Sequence, residues 1–123
     1  MHPDRSFWLR QRVCVTGGTG FLGWQIVRQL CHLGAEVRVL ALPVNRSHPV
    51  YQQGATQMFW GDVRDPDLAR RALEGCSIVF HTAGVVGAWG KILERMWSVH
   101  VEGTANVIAA APSDARIVHT SSL

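Results

Sequence analysis

Several patterns that would assign this chain to a broad class of protein are absent from its sequence. Residues 1–11 lack the apolar core of a signal peptide, and no apolar run approaches the length of a membrane span. Lysine and arginine are scattered along the chain, so no basic patch indicates nucleic-acid binding. We therefore expect a protein with no membrane span and no nucleic-acid partner.

The spacings typical of metal sites and of hydrolase nucleophiles are also missing. The three cysteines form no metal motif, and the six histidines show no ligand spacing with cysteine, aspartate or glutamate. No Gly-x-Ser-x-Gly sequence occurs. An odd number of cysteines, two of them in apolar stretches, is typical of a reduced protein. The sequence thus predicts a cytoplasmic protein without a metal site.

The composition is that of a globular chain. Of its 123 residues 47% are hydrophobic and 17% are charged, with a net charge of +3. This length is enough for one domain with one hydrophobic core. We expect that domain over residues 11–123, preceded by a loosely held tail at 1–10.

Short apolar runs alternate with segments of helical periodicity. Asp65 followed by Pro66 indicates the N-cap and first residue of a helix. The alternation predicts an α/β fold, a Rossmann-like three-layer structure with a parallel sheet that is truncated after its fifth strand. The predicted strands are 13–15, 35–40, 55–60, 77–81 and 116–120, and the predicted helices are 20–33, 66–73 and 91–111.

The first strand runs into a glycine-rich turn that opens the first helix. Two registers fit, one beginning at Gly17 and one at Gly18, and both continue through Gly20 and Gly23. Free N–H groups and the dipole at a helix start favour a phosphate, so we predict a phosphate site here. No Lys-Ser or Lys-Thr follows, which excludes a Walker-type loop. A glycine-rich turn without a ligand is the alternative.

Asp62 stands at the end of the third predicted strand. The carboxyl ends of parallel strands are where open α/β sheets bind ligands, which favours a ligand role for this aspartate. The alternative is a turn residue whose side chain hydrogen-bonds its own backbone.

Five segments together resemble motifs of the extended short-chain dehydrogenase/reductase family, and they occur in the family's order. Details at 79–83, at 87–90 with Trp89, and at 103–108 most resemble the branch related to 3β-hydroxysteroid dehydrogenase/isomerase, in its N-terminal part. Sugar-nucleotide epimerases and dehydratases are close relatives of that branch. The five segments are 16–23, 61–63, 81–84, 99–107 and 118–122.

The resemblance implies an oxidoreductase that transfers a hydride between NAD or NADP and a hydroxyl or keto carbon of a steroid-like or other small substrate. It implies a small-molecule partner and allows a homo-oligomer. It makes Ser122 the catalytic serine that hydrogen-bonds the substrate oxygen, with Ser121 as the alternative. The cofactor contacts it implies are Gly17, Thr19, Gly20, Phe21, Leu22, Gly23, Asp62, Val63, Ala83 and Gly84.

Two positions depart from the family pattern. The Tyr-x-x-x-Lys pair used for proton transfer is absent, since the chain has only Tyr51 and only Lys91. We therefore expect this chain alone to be inactive, with the substrate-binding part absent. His100 replaces a usual asparagine, and helical spacing turns it towards the sheet, as a core histidine or as a functional one. A non-catalytic dinucleotide-binding module, an interaction protein that binds no nucleotide, and an epimerase/dehydratase fragment are the alternatives.

The choice between the two dinucleotides depends on the end of the second strand. An acidic residue there would bind the ribose hydroxyls of NAD and repel the 2′-phosphate of NADP. This strand ends without an acid, and Arg46 follows in the loop. We predict no strong selection against NADP, with Arg46 as a phosphate contact.

Overall fold

The computed structural model describes residues 5–84 and 91–120. Five strands form one parallel sheet in the order β3-β2-β1-β4-β5, which confirms the predicted α/β class. The strands are Arg12–Thr16 (β1), Glu36–Ala41 (β2), Thr56–Trp60 (β3), Ile78–His81 (β4) and Arg116–His119 (β5). The α-helices are Arg5–Trp8 (α1), Phe21–His32 (α2), Pro66–Leu73 (α3), Lys91–Trp97 (α4) and Gly103–Ala110 (α5).

Helices cover both faces of the sheet because side chains along a strand alternate between its two faces. On one face Val13, Val15 and Val39 pack with Val27 and Leu30 of α2. On the other face the alternate strand residues pack with α3 and α5, forming a second core. The result is the three-layer arrangement expected from the sequence.

The strand order reverses between β1 and β4. Strands β2 and β3 lie on one side of β1, and β4 and β5 lie on the other side. The connection after β1 therefore passes through α2 on one face of the sheet, and the connection after β4 passes through α5 on the other face. Doubly wound sheets bind ligands at this reversal, outside the carboxyl ends of the strands.

The start of α3 is determined by residues next to it in the sequence. The Asp65 carboxylate accepts hydrogen bonds from the backbone N–H groups of Asp67 (3.0 Å) and Leu68 (3.3 Å), and Pro66 begins the helix. This confirms the N-cap prediction. Because a cap bonds only to its own first turn, short sequence spacing is sufficient to predict it.

Two segments contain structure that the sequence did not predict. The loop that follows β2 includes a single 3₁₀ turn, Pro49–Gln52. Within residues 1–10, for which we predicted a tail, Arg5–Trp8 is helical and Trp8 packs against the core beneath α2.

The predicted single helix 91–111 is divided into three parts. A π-helical segment, Ser98–Glu102, separates α4 from α5. The apolar stripe is buried only at its later positions, Val99, Gly103 and Val107, whereas Ile92 is exposed. A π-helical turn takes more residues than an α-helical turn, so it rotates the faces on either side relative to each other.

Strand β5 forms one edge of the sheet. It pairs with β4 and, among residues 5–84 and 91–120, with no other strand. All four of its residues are exposed, including Ile117 and Val118.

Candidate functional site

The glycine turn after β1 makes the tight bend that the sequence predicts. Gly17 has φ of +68°, a region that other residues rarely adopt. Its N–H donates to the carbonyl of Leu40 on β2 (2.8 Å), and its own carbonyl accepts from Gly20 N–H (3.0 Å). A Cβ on Gly17 would lie 2.7 Å from the Cα of Ala83, so the turn after β1 packs directly on the loop after β4.

Gly20 and Gly23 differ in what surrounds them. A Cβ on Gly23 would lie 2.1 Å from the carbonyl oxygen of Gly17, so the protein itself requires glycine there. A Cβ on Gly20 would meet only that same oxygen, at 3.4 Å, which is ordinary contact. No side chain caps α2 at Gly20. The protein leaves space in front of Gly20 and the start of α2, which a phosphate could fill.

One cleft of about 190 Å³ lies across the carboxyl ends of four strands. It brings together several of the residues for which we predicted cofactor contacts: Gly17, Thr19, Gly20, Asp62, Val63, Ala83 and Gly84. The end of β2 also lines it, through Leu40, Ala41 and Leu42.

The other predicted cofactor contacts lie outside the cleft lining. Phe21 is 92% exposed and Leu22 is 44% exposed, both in the first turn of α2. Gly23 is buried beneath the turn. Any contact of these three residues with a cofactor stays a prediction.

Asp62 makes the turn interaction that was the alternative interpretation of its sequence position, and its ligand role stays a prediction. Its Oδ1 accepts from the backbone N–H of Arg64 (2.8 Å), which is the turn interaction, and the residue also lines the cleft. The Arg64 guanidinium donates to both carboxylate oxygens, to Oδ2 at 2.6 Å and to Oδ1 at 3.0 Å. This hydrogen-bonded pair lowers the pKa of Asp62 below its usual value, so the carboxylate is charged at neutral pH.

Helix α5 and the π-helical segment hold the turn after β3, which forms one wall of the cleft. Arg64 also donates to Ser98 Oγ (3.3 Å), and the amide of Asn106 donates to the carbonyl of Val63 (3.1 Å). Gly103 allows the close approach, since a Cβ there would lie 2.6 Å from Val63 Cγ1. The segment 61–63 is therefore fixed from two elements distant in sequence.

His100 does not face the sheet, which corrects the expectation from helical spacing. The residue is exposed and lies in the π-helical segment, where the spacing of an α-helix no longer applies. Its ring lies against the loop after β4, so that a Cβ on Gly84 would be 2.7 Å from His100 Cε1. His100 thus stands beside the cleft and outside the core.

Arg46 does not line the cleft. Its guanidinium lies over the ring of Tyr51, 5.1 Å from the centroid, within the loop that follows β2. The contact of Arg46 with a phosphate stays a prediction that this position does not support.

The sequence analysis missed two residues, one that lines the cleft and one that holds the glycine turn from outside it. Arg95 of α4 lines it, and its charge helps to keep Asp62 ionised. No helical spacing indicates Arg95, because Val99, its neighbour in the cleft lining, lies in the π-helical segment. His48 donates from Nε2 to the carbonyl of Thr19 (2.9 Å), since its Nδ1 accepts from Val50 N–H (3.0 Å). No sequence signal indicates that bond, because it joins a loop to the glycine turn.

The predicted catalytic Ser122, its alternative Ser121 and Trp89 all lie outside the described residues. Within 5–84 and 91–120, no group of three histidine, cysteine or acidic residues could hold a metal ion. In the same part of the chain no helix has the length and apolarity to cross a membrane.

Comparison with known proteins agrees with this geometry. The profile of the 3-beta hydroxysteroid dehydrogenase/isomerase family matches residues 14–123. A 2-alkyl-3-oxoalkanoate reductase of Stenotrophomonas maltophilia is 40% identical over 113 residues, which cover 89% of this chain and 33% of that protein. The 3 beta-hydroxysteroid dehydrogenase type 7 of Rattus norvegicus is 38% identical over 117 residues, which cover 89% of this chain and 35% of that protein.

Solved structures share the fold. A short-chain dehydrogenase/reductase superfamily protein from Agrobacterium tumefaciens, solved with bound NAD, has a TM-score of 0.76 at 26% identity. The match covers 90% of this chain and 32% of that one. The chain spans about a third of the length of the curated relatives it matches.

Proposed function

We propose, since this chain belongs to the 3-beta hydroxysteroid dehydrogenase/isomerase family, that its cleft is the NAD or NADP site of an oxidoreductase. The substrate would be a hydroxyl or keto compound, steroid-like or another small molecule. The observation that carries the proposal is the β1–turn–α2 junction, where Gly20 faces open space at an uncapped helix start. The N–H groups and the dipole at such a helix start favour a pyrophosphate.

The residues divide the binding among them. The backbone N–H groups in the first turn of α2 would hold the pyrophosphate in front of the glycine turn, aided by the dipole of that helix. Asp62 and Val63 would contact the adenine, and Ala83 and Gly84 would lie along the cofactor, as the family resemblance implies. When bound, the nicotinamide supplies the hydride chemistry, and the protein supplies its position and orientation.

Gly20→Val is expected to abolish dinucleotide binding while leaving the fold intact. A branched side chain would occupy the space in front of the turn, yet the only protein atom near its Cβ is the Gly17 carbonyl oxygen at 3.4 Å. Calorimetric titration with NAD and with NADP measures the affinity, and thermal denaturation measures the stability. Equal affinity in the wild-type and variant proteins would place the phosphate site elsewhere.

This chain alone is expected to bind the cofactor without turnover. An unperturbed phenol with a pKa near 10 is a poor base at neutral pH without a nearby cation, and the Tyr-x-x-x-Lys pair is absent from the 123 residues. His81 is no substitute base, since both ring nitrogens are hydrogen-bonded within the protein. General acid–base catalysis contributes about 10²–10⁴-fold, so any rate of this chain should be at least about 10²-fold below that of a relative that has the pair.

The measurement is nicotinamide absorbance with 3β-hydroxysteroids, with the rat relative assayed beside this chain. Turnover by the chain at the relative's rate would show that another group performs the proton transfer.

A further inference from the structure

His81, the last residue of β4, is a buried titratable group with a partner at each ring nitrogen. It is 2% exposed. Its Nδ1 lies 2.6 Å from Thr16 Oγ1 at the end of β1, and its Nε2 lies 2.8 Å from Thr104 Oγ1 of α5. One imidazole therefore connects the two central strands with the helix that covers them.

The hydrogen bonds around Thr16 decide which nitrogen carries the proton. Thr16 Oγ1 accepts from the backbone N–H groups of Thr82 and Ala83, each at 3.2 Å. Its lone pairs are then occupied, so its own hydrogen is donated to His81 Nδ1. His81 is consequently the neutral tautomer with the proton on Nε2, and it donates that proton to Thr104.

The far end of this chain of hydrogen bonds is the loop that lines the cleft. Thr82, Ala83 and Gly84 all line it. The Thr82 hydroxyl donates to the carbonyl of Thr16 (2.6 Å), and Ala83 lies against Gly17. A displacement of the 82–84 loop would therefore change the wall of the site and the surface on which the glycine turn packs.

We propose that His81 is a positioning residue for dinucleotide binding: held by Thr104 in its Nε2–H form, it orients the Thr16 hydroxyl to fix the 82–84 loop against the glycine turn. This inference rests on the proposed function, since it concerns the same cleft. His81 itself does not line the cleft and acts through Thr16.

The surroundings keep His81 neutral. Burial, followed by the neighbouring histidines, lowers its pKa to about 4. His119 of β5 lies with its ring centroid 5.2 Å away, and His100 acts from the π-helical segment. If Nδ1 were protonated, its hydrogen would clash with the hydrogen of the Thr16 hydroxyl, and that hydroxyl would have to turn. The N–H groups of the 82–84 loop would then lose an acceptor. Affinity should therefore be constant above about pH 5 and fall as the pH approaches that pKa.

The test uses hydroxyl removal at both ends of the hydrogen-bond chain in the 123-residue protein. Thr16→Val should weaken NAD binding roughly tenfold, because a loop N–H loses its acceptor, and Thr104→Val should weaken it about fivefold. Thr16→Ser keeps the hydroxyl and should restore the affinity. The matched control is Thr56→Val, since Thr56 begins β3 at the opposite end of the sheet and its hydroxyl bonds only Gln53 (3.0 Å).

Imidazole ¹⁵N NMR gives a readout that a loss of packing would not produce. Wild-type His81 should show the Nε2–H tautomer, and Thr16→Val, which removes the hydroxyl that donates to Nδ1, should mix the two tautomers. An Nδ1–H tautomer in the wild type, or wild-type affinity in Thr16→Val, would overturn the inference while the proposed function stands. Absence of NAD and NADP binding in the wild type would overturn the proposed function and the inference together. If Thr16→Val fails to fold, Thr104→Val and the wild-type tautomer decide.

Discussion

Gly23→Ala is expected to abolish dinucleotide binding and to destabilise the protein by about 2–4 kcal/mol, the range of severe core overpacking and backbone strain. The new Cβ would lie 2.1 Å from the Gly17 carbonyl oxygen and 2.7 Å from Thr82 Oγ1. Neither neighbour can give way cheaply, since one is backbone and the other is hydrogen-bonded to Thr16. The helix would have to move away from the turn, which separates the N–H groups that a phosphate needs. Denaturant unfolding and calorimetric titration measure the two effects.

Gly54→Ala provides the matched control for this substitution. A Cβ at Gly54 has no atom within 4 Å, and its φ is not positive. We expect its stability to change by less than about 0.5 kcal/mol and its affinity to remain that of the wild type. Gly23→Ala with wild-type stability would mean that α2 lies further from the turn than described.

The second large effect is a loss of stability in acid through His81. The pKa of His81 is about 4 in the folded protein, against an ordinary value of 6.5. Between these two pH values the unfolded chain therefore binds a proton that the folded protein does not bind. The stabilisation is fully present above pH 6.5 and is lost as the pH falls from 6.5 towards 4. At 1.36 kcal/mol per pKa unit, the loss amounts to roughly 3 kcal/mol. Denaturant unfolding at several pH values measures it.

Two variants assign this acid sensitivity to one side chain. His81→Leu removes the titrating group. The slope of unfolding free energy against pH between 4 and 6.5 should therefore decrease by up to the amount that corresponds to one bound proton. His32→Gln, which replaces an exposed histidine at the end of α2, is the matched control. A wild-type slope in His81→Leu would assign the acid sensitivity to other groups.

The features predicted correctly from the sequence depend on short spacings. The β–turn–α pattern at Gly17, the cap at Asp65 and the alternation that builds the parallel sheet all follow from rules that act within a few residues. Strand ends agree to within a residue, as at β2, for which 35–40 was predicted and Glu36–Ala41 is found. Such a rule holds in the folded protein because the residues that interact are close together in the sequence.

The helix after β4 shows where such rules fail. Its spacing predicts one α-helix with His100 facing inwards, and the structure has a π-helical segment with His100 exposed beside Gly84. The contacts that surround the segment come from elsewhere: Arg64 bonds Ser98, and Val63 packs on Gly103. Helical periodicity contains no information about such partners, since they act across more than thirty residues of sequence.

By itself, the sequence determined the family, the layer order and the glycine turn, and it indicated the strand ends at which a dinucleotide would bind. The tertiary structure alone decided which side chains complete the site. It brought Arg95 to the cleft, took Arg46 to Tyr51, and joined Thr16, His81 and Thr104, whose separations in sequence are 65 and 23 residues. Hydrogen bonds and charges act over a few ångströms, so their partners are fixed only when the sheet has brought distant strands together.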